Sequence, residues 1–372
     1  MRTTLRQANP RGHAKAVSAM LATAILVAAC SSSATASPPA ASAAPSVAAP
    51  SVAPSASAAP ASAAPSAAAT FAPPNLSGQT IRITVGAAPD PGDTKVQLVA
   101  DILQKWGATT SIINQTGDPA AIRVLLAGQA DIGSIAVSSA INSGLMIFGP
   151  SQPRLEYHFI GAASIKSMAD LPGHTYGTSN VHGLEALMFA DLLVKNNIDP
   201  SKVNVTIAGG ASVRVAAMLA GHIDATFVHA DAVAKLTAAG FNDLAKMSDV
   251  APELADSFLG ASSAWVQAHP DLATAVDEAW ILAAQTFNTD KATWVAAAVK
   301  YGGGTAADAG TLYDTLLAAN TFPASKSAFS AASASAQEAL AVKVGAITSN
   351  PDLTKWFTET AWDQAVTALN LQ

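Results

Sequence analysis

The chain has one cysteine and few charges, and each shortage excludes a class of protein. Cys30 has no partner within the chain, which excludes an internal disulfide and a metal site built from several thiolates. Charged residues make up only 12% of the 372 residues, and the net charge is −6 without a basic patch. This composition argues against RNA or DNA binding. Beyond residue 30 the sequence has no apolar run long enough to cross a membrane.

The cysteine follows a segment typical of a bacterial export signal. Four basic residues come first: Arg2, Arg6, Arg11 and Lys15. A short apolar run then ends in Val27-Ala28-Ala29, immediately before Cys30. This run is shorter than the about 20 residues that a transmembrane helix needs. We therefore expect residues 1–29 to be a lipoprotein signal peptide and Cys30 to be acylated, with palmitate for example. A transmembrane anchor and an ordinary cleaved signal are the alternatives.

A low-complexity segment follows the cysteine. Residues 31–70 are all Ala, Ser, Pro, Val or Thr, without a charge or an aromatic ring. Such a composition cannot bury enough apolar surface to fold, and its frequent prolines prevent a continuous alanine helix. We expect residues 30–75 to be a disordered linker between the lipid and the folded body.

The body, residues 76–372, alternates predicted strands with predicted helices. Strands are expected at residues 80–86, 110–114, 131–137, 175–178, 203–207, 224–228 and 258–265. Helices are expected at residues 94–106, from 119, at 182–196 and at 211–220, before a mostly helical C-terminal part. This alternation favours mostly parallel sheets, and roughly 300 residues can supply the cores of two lobes.

The pattern Leu-Ala-Gly-x-x-Asp occurs twice, at residues 126–131 and 219–224. In each copy we expect the glycine to end a helix and the aspartate to precede a buried strand. The body is therefore predicted to contain two equivalent helix–strand units. Asp131 and Asp224 are expected to be structural, because they lie at the start of a strand.

Two further segments carry a family resemblance. They are Ile165-Lys-Ser-Met-Ala-Asp-Leu-Pro-Gly173 and Gly177-Thr-Ser-Asn-Val-His-Gly183. Together with the repeated pattern, they resemble the type II periplasmic substrate-binding proteins of ABC transporters. The similarity extends over residues 80–280 and is to the branch that binds sulfonates, taurine, nitrate and thiamine precursors. His174 departs from the lysine usual in that family, and residues 148–164 are shorter than the corresponding family segment.

The resemblance implies a two-lobed α/β fold, with mixed, mostly parallel sheets flanked by helices and a ligand between the lobes. Lobe 1 would comprise residues 76–160 and 256–372, and lobe 2 would comprise residues 161–255. The chain would then cross between the lobes twice.

Four loops follow predicted strands and precede predicted helices, where ligands of α/β proteins bind. They span residues 87–93, 137–139, 178–182 and 229–231, and they contain no Arg or Lys. The candidate ligand-binding residues are Asp90, Asp93, Ser138, Ser139, Thr178, Ser179, Asn180, His182 and His229. Hydroxyl groups and helix N-terminal amides suit an anion, whereas Asp90, Asp93 or Asp231 could meet a cationic group. Helix capping is the alternative role for the hydroxyl residues and Asp231.

By resemblance, the chain is expected to be an extracytoplasmic, lipid-anchored solute-binding protein that delivers a small ligand to an ABC permease. An aliphatic sulfonate or a similar small organic anion is the first ligand candidate. We expect a monomer at the outer face of the cell membrane or in the periplasm, without a cofactor, a metal or a nucleic-acid partner. The sequence lacks the common motifs of zinc proteases, serine hydrolases, P-loop NTPases and dinucleotide-binding enzymes. Two alternatives stay open: an enzyme on the same scaffold, similar to pyrimidine-precursor synthases, and a sensor or adhesion lipoprotein.

Overall fold

The computed structural model describes residues 71–181, 183–347 and 352–371. The predicted signal peptide, Cys30 and most of the predicted linker lie outside the described residues, as does the candidate His182. Within the described ranges, strands and helices alternate as the sequence predicts.

The elements are numbered in chain order. The strands are β1 (Thr80–Val85), β2 (Thr109–Asn114), β3 (Ile132–Ile135), β4 (Leu145–Gln152), β5 (Tyr157–Gly161), β6 (Thr175–Thr178), β7 (Asn204–Ile207), β8 (Ala225–His229), β9 (Asn242–Lys246) and β10 (Ser257–Ser262). The helices are α1 (Thr94–Lys105), α2 (Asp118–Leu126), α3 (Val137–Ser143), α4 (Leu184–Lys195), α5 (Ala211–Leu219), α6 (Ala230–Ala238), α7 (Met247–Val250), α8 (Ser263–Ala268), α9 (Pro270–Thr289), α10 (Lys291–Gly302), α11 (Ala306–Ala318), α12 (Ala331–Lys343) and α13 (Thr360–Ala368).

The strands form two sheets with the same internal plan. The first sheet has the order β2-β1-β3-β10-β4, and the second has the order β7-β6-β8-β5-β9. In each sheet the first three strands are parallel, and the fourth is antiparallel to both of its neighbours. The antiparallel strand is the one that arrives from the other sheet. This mixed α/β arrangement of two sheets flanked by helices confirms the predicted fold class.

The chain changes sheet twice. The first crossing lies between Gln152 and Tyr157, and the second crossing lies between Val250 and Ser257. The lobe boundaries at 160/161 and 255/256 stay a prediction. In the structure, β5 spans the first of these positions and pairs within the second sheet.

Three predicted segments differ from the structure. The strand expected at residues 131–137 stops at Ile135, and Val137 already begins α3. The strand expected at 258–265 stops at Ser262, because its hydroxyl accepts a hydrogen bond from the Trp265 amide and so caps α8. The sequence analysis assigned no element to the segment that forms β4 and β5. Pro150 is tolerated there because β4 is an edge strand.

The two Leu-Ala-Gly-x-x-Asp segments play the same role in both sheets. The first glycine has φ 65° and the second has φ 71°, as expected where a helix ends in the left-handed conformation. Asp131 accepts a hydrogen bond from the Arg82 amide at 2.8 Å, and Asp224 accepts one from the Thr175 amide at 2.8 Å. Asp131 therefore bonds to the middle of β1 and Asp224 to the first residue of β6, in agreement with the structural role predicted for both aspartates.

One C-terminal helix packs against both halves of the molecule. α12 contacts α3, which follows the first sheet's β3, and α4, which follows the second sheet's β6. Gln337 of α12 is fully buried. Its Oε1 accepts a hydrogen bond from the Val137 amide at 3.0 Å, and its Nε2 donates to the Asp256 carbonyl at 3.2 Å. Gln337 thus links the start of α3 to the second crossing.

Candidate functional site

A cavity of about 330 Å³ lies between the two sheets. Val85 and Ile135 line it from the ends of first-sheet strands, and Val228 lines it from the end of a second-sheet strand. The crossings contribute Tyr157 and Asp256. Ligands of open α/β sheets bind at such carboxyl ends, and pockets for small molecules measure about 300–1,000 Å³. The cavity is therefore of a size and in a position to hold a small ligand.

The loop of residues 87–93 contributes two of the predicted residues, Asp90 and Asp93, to the cavity wall. Asp90 accepts a hydrogen bond from the Gly92 amide at 2.7 Å, and Asp93 accepts one from Lys95 Nζ at 3.2 Å. Burial raises the pKa of Asp90, against the lowering effect of the Gly92 hydrogen bond. Lys95, one residue into α1, also lines the cavity.

His229 lies in the wall beside the first crossing. Its Nδ1 is 3.9 Å from Glu156 Oε1, and the Tyr157 ring meets the imidazole edge-on with centroids 4.6 Å apart. Burial lowers the pKa of His229, but the negative charges of Glu156 and Asp256 outweigh it, so that the pKa is raised overall. The neighbouring carboxylates therefore stabilise the protonated form of the imidazole.

Among the described residues of the loop after β6, the predicted residue Ser179 lies in the cavity wall, whereas Thr178 and Asn180 do not. The Ser179 hydroxyl donates a hydrogen bond to Glu185 Oε2 at 3.0 Å. Thr178 is fully buried, and its hydroxyl donates to the carbonyl of Asn180 at 3.1 Å. Ser179 thus positions a carboxylate of the wall, whereas Thr178 holds the shape of the loop.

The nine predicted site residues divide into three groups. The cavity wall includes Asp90, Asp93, Ser179 and His229. It does not include Ser138, Ser139, Thr178 or Asn180. The two serines are buried in the first turn of α3, and Ser134, Ile135 and Ala136 line the cavity in their place. His182 lies outside the described residues, and the part that each residue takes in ligand binding stays a prediction.

The sequence analysis missed a buried ion pair in the wall, Arg214 with Glu185. Arg214 is 1% exposed, and it also donates to Thr226 Oγ1 at 3.0 Å and to the Gly209 carbonyl at 2.9 Å. Arg214 lies one turn into α5, beyond the loops that were searched. The glycine pair at residues 209–210 was the local sign that a side chain of α5 could approach the cavity.

Two further wall residues were missed, Asp118 and Asp256. Asp118 begins α2, and its Oδ1 occupies the space that a Cβ at residue 86 would need. Burial and the negative charge of Glu185 raise the pKa of Asp118 to about 6. Burial raises the pKa of Asp256 to about 7. Asp256 Oδ2 is buried and has no hydrogen-bond partner among the described residues.

Residues 104–287 match the family model described as NMT1/THI5 like. This match covers just under half of the chain. The matched segment includes Asp118, Arg214, His229 and Asp256 of the cavity wall, but it begins after Asp93. No protein of curated function matches the sequence.

Solved structures resemble about three quarters or more of the chain. The periplasmic nitrate-binding protein NrtA from Synechocystis PCC 6803 has 12% identity and a TM-score of 0.66, over 80% of this chain and 90% of that one. The ligand-binding component of an ABC-type import system from Staphylococcus aureus has 13% identity and a TM-score of 0.63, over 77% and 99%. The periplasmic aliphatic sulphonate-binding protein SsuA from Escherichia coli has 18% identity and a TM-score of 0.56, over 76% and 93%. These likenesses show a shared fold, and with the family match they confirm the resemblance stated above.

All three of these neighbours are named for binding a ligand. Among residues 71–181, 183–347 and 352–371, no three His, Cys, Asp or Glu side chains are grouped so as to hold a metal ion. None of the described helices is long and apolar enough to cross a membrane.

Proposed function

We propose that the chain is an extracytoplasmic solute-binding protein that captures a small ligand between two lobes and delivers it to an ABC import permease. One observation carries the proposal: a cavity at the carboxyl ends of strands from both sheets, with side chains from both crossings in its wall. The neighbours that are named as nitrate- and sulphonate-binding proteins support the same class. A monomer would suffice, because one chain supplies both sides of the cavity.

Capture would proceed by rotation of the two sheets about the first and second crossings. A ligand that contacts walls from both sheets favours the closed state by its additional contacts there. The permease would then distinguish the loaded from the empty protein by the degree of closure.

The ligand candidate from the sequence, an aliphatic sulfonate or a similar small anion, has one support in the cavity. Gly183 and Gly210 line the cavity and precede α4 and α5 without a side-chain cap. Uncapped helix N-termini offer free amides to an anion. The excess of acidic side chains in the cavity wall weighs against an anionic ligand.

The experiment for capture is thermal unfolding of the full chain with Cys30→Ala, in the presence of single compounds. The set comprises sulfonates, taurine, nitrate, pyrimidines, amino acids and simple amines. A ligand at about one hundred times its Kd stabilises the folded state by about 2.7 kcal/mol. Stabilisation by one chemical class supports capture, and a complete lack of stabilisation by every class counts against it.

We further propose that Cys30 anchors the protein to the outer face of the cell membrane or within the periplasm through a lipid. The basic, apolar and small residues before Cys30 support this anchor. Cys30→Ala should move the protein from the membrane fraction to the soluble extracytoplasmic fraction, whereas the control Ser31→Ala should leave it in the membrane. Retention of the Cys30→Ala protein in the membrane would reject the lipid anchor.

A further inference from the structure

The cavity wall carries more acidic than basic side chains. Six acidic residues line it: Asp90, Asp93, Asp118, Glu185, Asp231 and Asp256. Only three lysine and arginine residues do so: Lys95, Arg214 and Lys235. The wall therefore has three more acidic side chains than lysine and arginine side chains, and two more when His229 is counted as a cation.

The two well-held cations of the wall already have carboxylate partners. Arg214 is bonded to Glu185, and its other donors reach a hydroxyl and two carbonyl groups. Lys95 Nζ lies 3.2 Å from Asp93 Oδ1. Lys235 and Asp231 are both exposed to solvent, where water screens their opposite charges. Within the described wall, an incoming anion would therefore have to compete with Glu185 or Asp93 for a buried cation.

The remaining carboxylates are poorly satisfied. Asp90 accepts one backbone hydrogen bond, from Gly92. Asp256 Oδ2 is buried without a hydrogen-bond partner among the described residues. A buried polar atom without a partner destabilises the protein. A donor that enters the cavity with a positive charge would satisfy these oxygens.

Helix N-termini do not reverse this balance. A helix N-terminus carries roughly half a positive charge. Asp118 lies in the first turn of α2, Glu185 in that of α4 and Asp231 in that of α6. Each of these helix ends therefore has a full negative charge beside its partial positive one. Of the second-sheet helices that begin at the cavity, α5 alone has no acidic residue in its first turn.

We propose that the cavity selects a small organic cation with a protonated amine or amidine, rather than an anion such as a sulfonate. This inference rests on the proposed function and names its ligand class. Asp118 follows the first sheet's β2, Asp231 follows the second sheet's β8, and Asp256 lies in the second crossing. A cation between them would attract both lobes at once and so favour closure. The amides of α5 remain available for an oxygen atom of the same ligand.

The test uses three compounds that share an ethyl skeleton: ethylammonium, taurine and ethanesulfonate. Taurine differs from ethanesulfonate only by its ammonium group, so the pair isolates the effect of the positive charge. The unfolding temperature of the full chain with Cys30→Ala is measured with each compound at equal ionic strength. We expect stabilisation by the two compounds that carry an ammonium group and none by ethanesulfonate. Equal or greater stabilisation by ethanesulfonate overturns the inference and leaves the proposed function standing.

Isosteric variants then test which carboxylates are involved. Asp118→Asn and Asp256→Asn should each weaken binding of the amine about tenfold or more, because each removes a desolvated charge partner. Asp363→Asn, an exposed residue of α13, changes the net charge equally and should leave binding unchanged. Unfolding of each empty variant shows that it is folded. Unchanged amine affinity in both cavity variants would also overturn the inference.

A further measurement separates failure of the inference from failure of the proposed function. Protein from its natural membrane is denatured, and any released small molecule is identified by mass spectrometry. Release of an amine or amidine supports the inference, and release of an anion overturns it while the proposed function holds. If no solute is released and none of the three compounds stabilises the protein, both are rejected.

Discussion

Asp256 and Asp277 each have at least one buried carboxylate oxygen without a hydrogen-bond partner among the described residues, but they lie in different surroundings. Asp256 borders the cavity, where a ligand can reach it. Asp277 lies in α9 against β4 and is completely buried. Its Oδ1 fills the space where a Cβ at residue 149 would lie, so Gly149 leaves room for it.

The two aspartates differ in whether a hydrogen-bond partner can reach the carboxylate. Burial raises the pKa of both groups, to about 7 for Asp256 and well above the usual range for Asp277. A ligand can provide a partner to Asp256, so its destabilising effect in the empty protein becomes affinity in the loaded one. No such partner can enter beside Asp277, whose effect is therefore confined to stability and to its dependence on pH.

The largest effect should come from turning a paired wall carboxylate into an unpaired one. Arg214→Met leaves Glu185 buried without its partner, and we expect the free energy of unfolding to fall by about 3–5 kcal/mol. Denaturant unfolding measures the loss. Arg82→Met is the control, because Arg82 pairs with Asp131 at a partly exposed position, and it should cost about 1 kcal/mol or less. Similar losses in both variants would show that the burial of the Arg214 pair has no special effect.

The next effect should come from filling the space beside Asp277. Gly149→Ala places a methyl group where Asp277 Oδ1 lies, and we expect a loss of about 2 kcal/mol from overpacking. The double variant with Asp277→Ala should regain most of that loss in denaturant unfolding. Gly310→Ala in α11 meets no close contact and should stabilise the protein by about 0.5–1 kcal/mol. A strictly additive double variant would argue against the contact.

Removal of the core carboxylate should raise stability and alter its pH dependence. Asp277→Ala deletes two unpaired oxygens, and we expect a gain of about 1–2 kcal/mol near neutral pH. Because the folded-state pKa is raised, folded protein keeps a proton that unfolded protein releases as the pH rises above about 4. The free energy of unfolding of the parent protein therefore falls as the pH rises toward that raised pKa, and the variant should show a shallower fall.

The pH prediction is checked by denaturant unfolding of both proteins at about pH 5 and about pH 8. Asp271→Ala, an exposed position on the same helix, serves as the control and should keep the parent's slope. An equal slope in the Asp277→Ala protein would mean that Asp277 does not titrate in this range.

The smallest change in stability should come from Asp256→Asn, but its sign should depend on the ligand. In the empty protein we expect a gain on the order of 1 kcal/mol, because a buried carboxylate without a partner becomes a neutral amide. With a stabilising amine present, the parent protein should become the more stable of the two. Thermal unfolding with and without the amine measures both states. If the variant is more stable than the parent protein in both, Asp256 does not differ from Asp277 in this respect.

The fold was largely predictable because its signals are local. The glycines and aspartates of the two Leu-Ala-Gly-x-x-Asp segments mark helix ends and strand starts within a few residues. β4 and β5 were not predictable in the same way. Pro150 interrupts the local strand pattern, and β4 forms because β10, more than a hundred residues later, pairs with it.

The candidate site was predictable only where its residues follow strands directly. Asp90, Asp93, Ser179 and His229 lie on such loops and reach the cavity. Asp118 and Arg214 lie on helices, and Asp256 lies in the second crossing, so only the packing of the two sheets brings them together. Ser138 and Ser139 lie outside the cavity wall because α3 starts so early that both serines are buried in its first turn.

The position of Gln337 has a consequence for the rate at which a ligand leaves. Its side chain bonds both to the start of α3 and to the backbone at Asp256, so the pivot of the cleft is bonded to a helix behind it. An opening motion that separates these two points must break a buried hydrogen bond, which adds to the activation barrier for release. Residence time and affinity can therefore be set by different residues, the first behind the cleft and the second within it.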